Sequence, residues 1–494
     1  MMRELLVALA LLGSAACHGS KPAAEGAKSA PARVAPAVVS DVVKAPRPAG
    51  GEYFGLYLMD KKVGYIFTDL SPAAGRPGEV QAVSEFVFKA TVGTKVSERT
   101  HREVRVYESR PKGRLLSFII ESHGDGGEER LEATAEDHGL KVVRKRPGQA
   151  DQVLNLPAST ERVEDADQAR VALLRGAAVQ GSITDGQDLE SYPVSTTLEA
   201  PQVRTLGGVS VHLTPTMTLS EKEKVPVESF LDAKGRMVEI NFGSTMRAVA
   251  EAETVAKRLD QVEVFGLTRV VLPRPAPASA RSVPGRWTLV VTGLPEKFRK
   301  DTYRQRFKAV GDRVEVTLSS VVPAGKKLPL PVADPAGGVN LKSSLTVESD
   351  NPEIRALAQT LVGTDKDAYT VARRIVTWVN ANLVKDYGAS ADRASDVLRQ
   401  KRGDCTEHSL LAVALLRAAG IPAKRTDGLV YLMNEDKVPA LYWHEWVEAF
   451  VGEWTQLDPT FGQSVVDPTH FAVGEEGNAE ITPLIGQLKV VEVR

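Results

Sequence analysis

Residues 402–422 read RGDCTEHSLLAVALLRAAGIP and decide the fold of the C-terminal part of the chain. The run Thr406–Ala419 has apolar side chains on nearly all sides, which predicts a helix buried over most of its surface. Gly420 and Pro422 predict its C-terminal end. Cys405 then lies at the helix N-terminus, where unpaired backbone N–H groups and the helix dipole favour an anion. We expect a reactive thiol with a pKa below that of a free thiol, although a buried structural cysteine is the plainer alternative.

Two segments downstream of Cys405 supply a candidate base and a candidate acid. The sequence LYWHEWVEAFV predicts a strand that carries His444, and EWTQL predicts the next strand, which ends at Asp458. A thiol at a helix start, then an imidazole, then a carboxylate on successive strands provide a nucleophile, its base and an orienter for that base.

The register of these two strands poses a problem for the triad. A two-residue turn at Gly452 and Glu453 would set Asp458 opposite Val447, three residues from His444 and on the other face of the sheet. The triad therefore requires a bulge or an asymmetric turn between the strands.

Three motifs of this region resemble the transglutaminase-like superfamily, over roughly Ser349–Gln463. The resemblance implies a papain-like α+β fold, with Cys405 as nucleophile, His444 as general base and acid, and Asp458 fixing the imidazole tautomer. It also implies acyl transfer from amides: peptide or amide hydrolysis, glutamine deamidation or glutamine–lysine cross-linking. The motifs are Gly403-Asp404-Cys405 with Ala419-Gly420-Ile421-Pro422, Trp443-His444-Glu445-Trp446-Val447-Glu448, and Trp454 with Leu457-Asp458-Pro459-Thr460.

The donor that would stabilise an oxyanion stays open at this point. The Cys405 backbone N–H is one candidate, and the side chains of Tyr387 and Trp378 are others. Trp443 is expected to form part of the core and part of the cleft wall.

Two further histidines require separate interpretation. His408 follows Cys405 by three residues and could share its helix face, but zinc would need third and fourth ligands that the sequence does not offer. We therefore expect no metal and no cofactor, with His408 as a partner of Glu407 or part of the cleft rim. His470 has no evident partner.

Composition excludes several classes of protein. The 494 residues predict about three domains, and 43% hydrophobic residues are typical of a globular protein. A net charge of -1 gives no general attraction for nucleic acid, so no nucleic-acid partner is expected. Two cysteines, Cys17 and Cys405, cannot build a disulfide framework.

The N-terminus predicts export. Residues 1–17 have an early Arg3, a short apolar run and small residues, the pattern of a removable signal peptide. The ending Ser14-Ala15-Ala16-Cys17 resembles the lipobox of bacterial lipoproteins, which implies lipidation of Cys17. Ordinary signal-peptidase cleavage with plain secretion, and an uncleaved cytosolic start, are the alternatives. Residues 18–50, rich in Ala, Pro, Gly and Ser, predict a disordered tether.

The remaining chain divides by pattern. Short β-type runs over 51–272 predict a large antiparallel β domain, 273–286 a Pro- and Ala-rich linker, and 287–345 a small β module or an extension of the next domain. Helical spacing begins in the domain at 346–494, with helices predicted at Glu353–Leu361, Asp365–Leu383 and Ala391–Gln400. The expected fold class is α+β.

Together these features predict an exported, lipid-anchored thiol enzyme that acts on amide bonds of a protein or peptide substrate, with hydrolysis favoured over cross-linking. The expected location is the cell envelope, in the outer membrane facing the periplasm or cell surface, or soluble in the periplasm or medium without the lipid. The alternative is a non-catalytic envelope adaptor, whose β domain binds a partner while the C-terminal domain is a scaffold.

Overall fold

A computed structural model describes residues 39–92, 95–124, 127–186, 189–206, 208–221, 226–243, 245–323, 327–386, 391–434, 436–475 and 484–494. The chain divides into two compact units. Of the described residues, those within 39–89 and 98–262 form the β unit, and those within 90–97 and 263–494 form the C-terminal unit. In the described part of the chain, no helix has both the length and the apolar character needed to cross a membrane. Cys17 lies outside the described residues.

Strands and three short helices make up the described part of the β unit. In chain order they are α1 (Asp41–Lys44), β1 (Glu52–Leu58), β2 (Lys61–Pro72), β3 (Glu79–Val92), β4 (Lys95–Glu108), β5 (Leu115–Gly124), β6 (Gly127–Glu136), β7 (Gly139–Lys145), β8 (Gln152–Leu156), α2 (Gln168–Arg175), β9 (Val179–Thr184), β10 (Ser191–Leu198), β11 (Gln202–Leu206), β12 (Val209–Ser220), β13 (Val227–Asp232), β14 (Met237–Phe242), β15 (Met246–Glu251) and α3 (Glu253–Ala256).

These strands pair in one large sheet, so the predicted antiparallel β region is confirmed. Neighbours along the chain are neighbours in the sheet from β8 back to β1, and β1 then pairs with β15, with Leu56 opposite Ala248. From β15 the order continues through β14, β13, β12, β10 and β9, and β11 also pairs with β12. Local hairpins of this kind follow from short loops between half-buried strands.

The β unit also buries charged side chains. The guanidinium of Arg105 donates to Glu161 at 2.8 Å and to Glu103 at 3.0 Å, and the Tyr107 hydroxyl also donates to Glu161. Glu161 is fully buried. Charges in such a place are tolerated because they are paired.

The predicted disordered tether ends before residue 50. Val42 in α1 is buried, and the Arg47 guanidinium donates to Asp167 at 2.6 Å. Residues 39–50 are therefore packed into the β unit, because a buried apolar side chain and an ion pair outweigh their Pro- and Ala-rich composition.

The C-terminal unit combines short helices with small sheets. In chain order its described elements are α4 (Val264–Thr268), β16 (Val270–Val271), β17 (Arg286–Thr292), β18 (Gln305–Val310), β19 (Arg313–Ser319), α5 (Pro352–Val362), α6 (Ala368–Asn382), β20 (Val384–Lys385), α7 (Ala394–Gln400), β21 (Arg402–Gly403), α8 (Cys405–Ala418), β22 (Ala423–Met433), β23 (Pro439–Phe450), β24 (Trp454–Leu457), β25 (His470–Glu475) and β26 (Lys489–Val493).

The helices α5, α6, α7 and α8 share one apolar core, and this domain confirms the α+β class. α8 is buried from Glu407 through Leu416, as its uniformly apolar sequence predicts. Strand β23 contributes Val447 and Ala449 to the same core, which places α8 beside the strand that carries His444. The sheet order is β16-β23-β22-β25, with β24 on β23.

The boundary between the units differs from the sequence-based one. It falls at Val262 rather than near residue 272, because Val270 pairs with Leu441 of β23. The predicted linker 273–286 is also packed against the C-terminal unit, since Ala280 is fully buried and Arg281 donates to the Tyr431 carbonyl at 2.8 Å.

Residues 286–319 belong to the C-terminal unit. They supply β17, β18 and β19 of a four-stranded sheet of order β18-β19-β17-β26, whose fourth strand comes from the chain's last residues.

Candidate active site

The N-terminus of α8 is closed by two carboxyl side chains. Asp404 is the N-cap, and its Oδ1 accepts from the Thr406 backbone N–H at 2.7 Å. Glu407 reaches back, and its Oε2 accepts from the Asp404 N–H at 2.8 Å. This reciprocal capping box fixes Cys405 at the first helical position. A Cβ at Gly403 would lie 2.2 Å from the Glu407 Cβ, so the capping box also requires this glycine.

Cys405 is half-buried as a residue and has no disulfide partner. Its pKa is raised well above its ordinary value by desolvation, and the carboxylates of Asp404 and Glu445 raise it further. A hydrogen bond from the Glu445 backbone acts in the opposite direction. The raised pKa is opposite in direction to the expected low thiol pKa, because desolvation and two nearby carboxylates disfavour the thiolate.

That same hydrogen bond locates the sulfur in the fold. The Cys405 thiol lies against the backbone of Glu445, the residue that follows His444 on β23. The Ser409 hydroxyl, one helical turn further on, donates to the Glu445 carbonyl at 3.1 Å. α8 is thus anchored to β23 at the position of the predicted base.

The turn between β23 and β24 resolves the register problem. Phe450 pairs with Trp454, which leaves three residues in the turn, and Val447 pairs with Leu457. Gly452 in that turn has a φ of 108°, a conformation that favours glycine. Asp458 then follows on the same face as Trp446 and hence as His444, two residues away on the strand.

His444 and Asp458 form the predicted pair. Nε2 of His444 lies 2.7 Å from Oδ2 of Asp458, which leaves Nδ1 for proton exchange with a thiol. Oδ1 of Asp458 accepts from the backbone N–H groups of Thr460 at 2.6 Å and Phe461 at 2.9 Å. Although burial opposes it, the His444 contact holds the pKa of the Asp458 carboxyl well below its usual range.

Aromatic rings surround His444. The Phe461 ring lies 4.9 Å and the Trp446 ring 5.9 Å from the His444 ring, centroid to centroid. On the neighbouring strand Gly428 lies opposite His444, and a Cβ there would come within 2.5 Å of the Trp446 ring. The rings exclude water from the His444 and Asp458 pair, which strengthens its hydrogen bond.

His470 is a member of the site that the sequence did not reveal. Its Nε2 lies 3.0 Å from Oδ2 of Asp458, and its Nδ1 lies 3.3 Å from Oδ1 of Asp467. His470 is fully buried, so its predicted lack of a partner is wrong. The available signal was an Asp-x-x-His spacing shortly after Asp458, which is too common to point to a site.

The same groups are of the residue types that bind metal ions. Within the described residues, ligand atoms of His444, Asp458 and His470 all lie within 4.8 Å of one another. The two nitrogen–oxygen separations are hydrogen-bond distances, and both oxygens of Asp458 already accept two hydrogen bonds each. A metal ion would have to displace these bonds, so the residues fit a hydrogen-bonded chain better than a metal centre.

The structure leaves fewer side chains as candidates for the oxyanion donor. The Trp443 indole N–H donates to the Thr268 carbonyl at 3.1 Å, so this donor is already used, and Trp443 faces away from His444 on β23. Trp378 is half-buried and packs against the helical core. Tyr387 lies outside the described residues. The Cys405 backbone N–H stays the natural candidate.

His408 is neither a partner of Glu407 nor part of the cleft rim, the two roles predicted for it. It is fully buried, and its Nδ1 lies 2.7 Å from the Asp404 carbonyl oxygen, to which it donates. Burial lowers the pKa of His408, so the ring is neutral. It braces the first turn of α8 rather than the cleft rim or Glu407.

The comparisons with known proteins agree with this site. Residues 355–459, which contain Cys405, His444 and Asp458, match the family model described as the transglutaminase-like superfamily. The predicted resemblance is confirmed.

Three individual proteins are similar over part of the chain. An uncharacterized protein of Mycobacterium leprae (strain TN) is 27% identical over 115 residues, 22% of this chain, and the match spans only 41% of that relative. A protein of Cytophaga hutchinsonii described as a candidate cysteine protease is 16% identical, with a TM-score of 0.29 over 42% of this chain and 83% of its own. The periplasmic domain of TgpA from Pseudomonas aeruginosa is 18% identical, with a TM-score of 0.26 over 40% of this chain and 89% of its own.

Proposed function

We propose that the C-terminal unit is a thiol-dependent acyl-transfer enzyme that acts on amide bonds of peptides or proteins. The observation that carries this proposal is the hydrogen bond from His444 to the buried Asp458 carboxylate, beside a helix-terminal Cys405 that contacts the residue next to His444. Its match to the transglutaminase-like superfamily supports the same class of chemistry.

In the proposed reaction, Cys405 attacks the amide carbonyl while His444 takes the thiol proton at Nδ1. A sulfur–carbon bond forms, and the carbonyl electrons move onto the oxygen. His444 then returns the proton to the leaving nitrogen, and the carbon–nitrogen bond breaks to leave a thioester. Water, or an amine, attacks the thioester and restores the thiol. Hydrolysis is favoured because water is the more abundant acceptor.

The raised pKa of the Cys405 thiol limits the order in which the reaction steps can occur. A neutral thiol in the free site is not yet a nucleophile, so the proton transfer to His444 accompanies the attack rather than preceding it. Asp458 holds the His444 tautomer that can accept that proton.

We propose also that the protein is exported and anchored through lipid on Cys17, which would hold the enzyme at the cell envelope. The N-terminal sequence motivates this part of the proposal. Incorporation of a radiolabelled fatty acid by the full chain, lost in Cys17→Ala, would support it. Equal labelling, or none in either protein, would overturn the lipid anchor.

The activity test compares wild type with Cys405→Ala on a quenched peptide library and on a glutamine donor with an amine acceptor. Loss of turnover in Cys405→Ala and in His444→Ala, but not in the surface control His138→Ala, is the expected result. Product analysis separates hydrolysis from amine transfer. If neither wild type nor Cys405→Ala turns over either substrate, the result would favour the adaptor function.

A further inference from the structure

The sheet that carries His444 also buries a histidine between two carboxylates. His470 opens β25, opposite Val430 of β22, and its ring lies between two carboxylates. A ring nitrogen can donate to a carboxylate only when it is protonated. Because both nitrogens lie within hydrogen-bond distance of carboxylate oxygens, an imidazolium supplies a donor to each of them.

The electrostatics agree with this protonation state. Burial acts against a charged ring, yet the hydrogen bonds to Asp458 and Asp467 raise the pKa of His470 above its ordinary value. Burial likewise opposes ionisation of Asp467, but the hydrogen bond from His470 lowers the pKa of its carboxyl to about 2. Asp467, His470, Asp458 and His444 therefore form one continuous buried chain of hydrogen bonds.

We propose that His470 is a positioning residue that acts on the triad through Asp458. This proposal rests on the proposed function. Its Nε2–H orients Oδ2 of Asp458, the oxygen that accepts from His444. Its positive charge offsets the charge of that carboxylate and so weakens the attraction of Asp458 for a proton on His444.

Other titratable and charged groups lie around this chain of hydrogen bonds, in positions different from that of His470. Neutral His408 on α8 faces Asp458, and Lys385 lies over the Phe461 ring. On the far side, Arg304 donates to the Asp467 backbone carbonyl, and the Arg281 guanidinium lies 3.9 Å from the Asp467 carboxylate. His470 is the cation in hydrogen-bond contact with Asp458 itself.

The expected consequence has a definite sign. When His470 is replaced by a neutral side chain, the charge of Asp458 is no longer offset and stabilises the protonated form of His444. The loss of activity on the acid side of the pH profile then begins at a higher pH. The ring centroids of His444 and His470 are 5.8 Å apart. For an effective dielectric of about 20, which suits buried sites, a unit charge at that distance shifts the acid limb by about two pH units.

The experiment measures kcat and kcat/KM against pH for full-length wild type, His470→Asn and Asp467→Asn. Both variants should move the acid limb to higher pH, the second because His470 loses the carboxylate that keeps it charged. Arg281→Gln is the matched control for loss of a nearby cation and should move the limb far less. Acid limbs that coincide with wild type, with activity merely reduced, would overturn the proposal, since a structural role alone predicts that result.

A second measurement does not depend on activity. Nitrogen NMR of full-length protein with labelled histidine, with the His470 signals identified by their loss in His470→Asn or by the change they undergo in Asp467→Asn, should show two protonated ring nitrogens at neutral pH. A single protonated nitrogen would overturn the proposal even if the enzyme is active. Conversely, two protonated nitrogens in a chain without amide turnover would reject the proposed function and leave the charge state of His470 established.

Discussion

Asp458 reaches His444 because the turn between their strands contains three residues rather than two. That single residue shifts the ladder so that Val447 pairs with Leu457, and it returns the Asp458 side chain to the face of His444. A buried carboxylate with four accepted hydrogen bonds is thereby aimed at one imidazole nitrogen.

Replacement of the carboxylate tests its orienting role. Asp458→Asn keeps the shape and an oxygen for the Thr460 and Phe461 N–H groups, but it no longer selects the His444 tautomer with a free Nδ1 lone pair. We expect kcat to fall by about 100-fold or more with little change in KM. The control is Asp436→Asn, an exposed carboxyl paired with Arg269. A loss of less than about threefold in Asp458→Asn would contradict the triad.

The charge at the N-cap acts on Cys405, the proposed nucleophile. Because the Asp404 carboxylate raises the pKa of the Cys405 thiol, Asp404→Asn should lower it while asparagine keeps the N-cap. The rate of iodoacetamide alkylation of Cys405 in wild type should rise mainly above the pH of a free thiol, about 8.5. In Asp404→Asn the same rise should occur at a lower pH. The control Asp396→Asn, on α7, should match wild type, and a shift toward higher pH in Asp404→Asn would contradict the assignment.

The close approach at Gly428 tests the packing beneath His444. A Cβ there would lie 2.3 Å from the Phe471 carbonyl oxygen as well as against the Trp446 ring, and neither neighbour can move without disturbing the sheet. Gly428→Ala should therefore lower the free energy of unfolding by about 2–3 kcal/mol and reduce activity. Gly124→Ala, whose nearest neighbour atom is the Arg99 Cγ at 3.4 Å, is the control in denaturant unfolding. Equal stability of the two variants would contradict the predicted clash.

The buried ion pairs of the β unit predict a large loss of stability. Arg105→Ala leaves the carboxylate of Glu161 without its cation, in a site with no exposure to water. We expect a destabilisation of about 3–5 kcal/mol. Arg110→Ala, at an exposed pair with Glu108, should cost under about 1 kcal/mol. Unfolding followed by circular dichroism checks both, and a small effect of Arg105→Ala would show that Glu161 takes up a proton at little cost.

The sequence by itself determined the features that depend on neighbours along the chain. The N-cap at Asp404, the buried length of α8 and its end at Gly420 follow from local capping and apolar pattern, and the three chemical groups of the triad follow from their motifs. The antiparallel β character of residues 51–272 also followed from the sequence, because alternation and turn residues are local signals.

Tertiary structure alone decided the features that depend on residues far apart in sequence. Turn length set the register that joins Asp458 to His444, and the fold brought His470 between two carboxylates. Desolvation and nearby carboxylates raised the thiol pKa against the effect of the helix terminus, and the Thr268 carbonyl occupied the Trp443 donor. Burial and electrostatics are sums over the whole surroundings of a group, so no local pattern in the sequence specifies them.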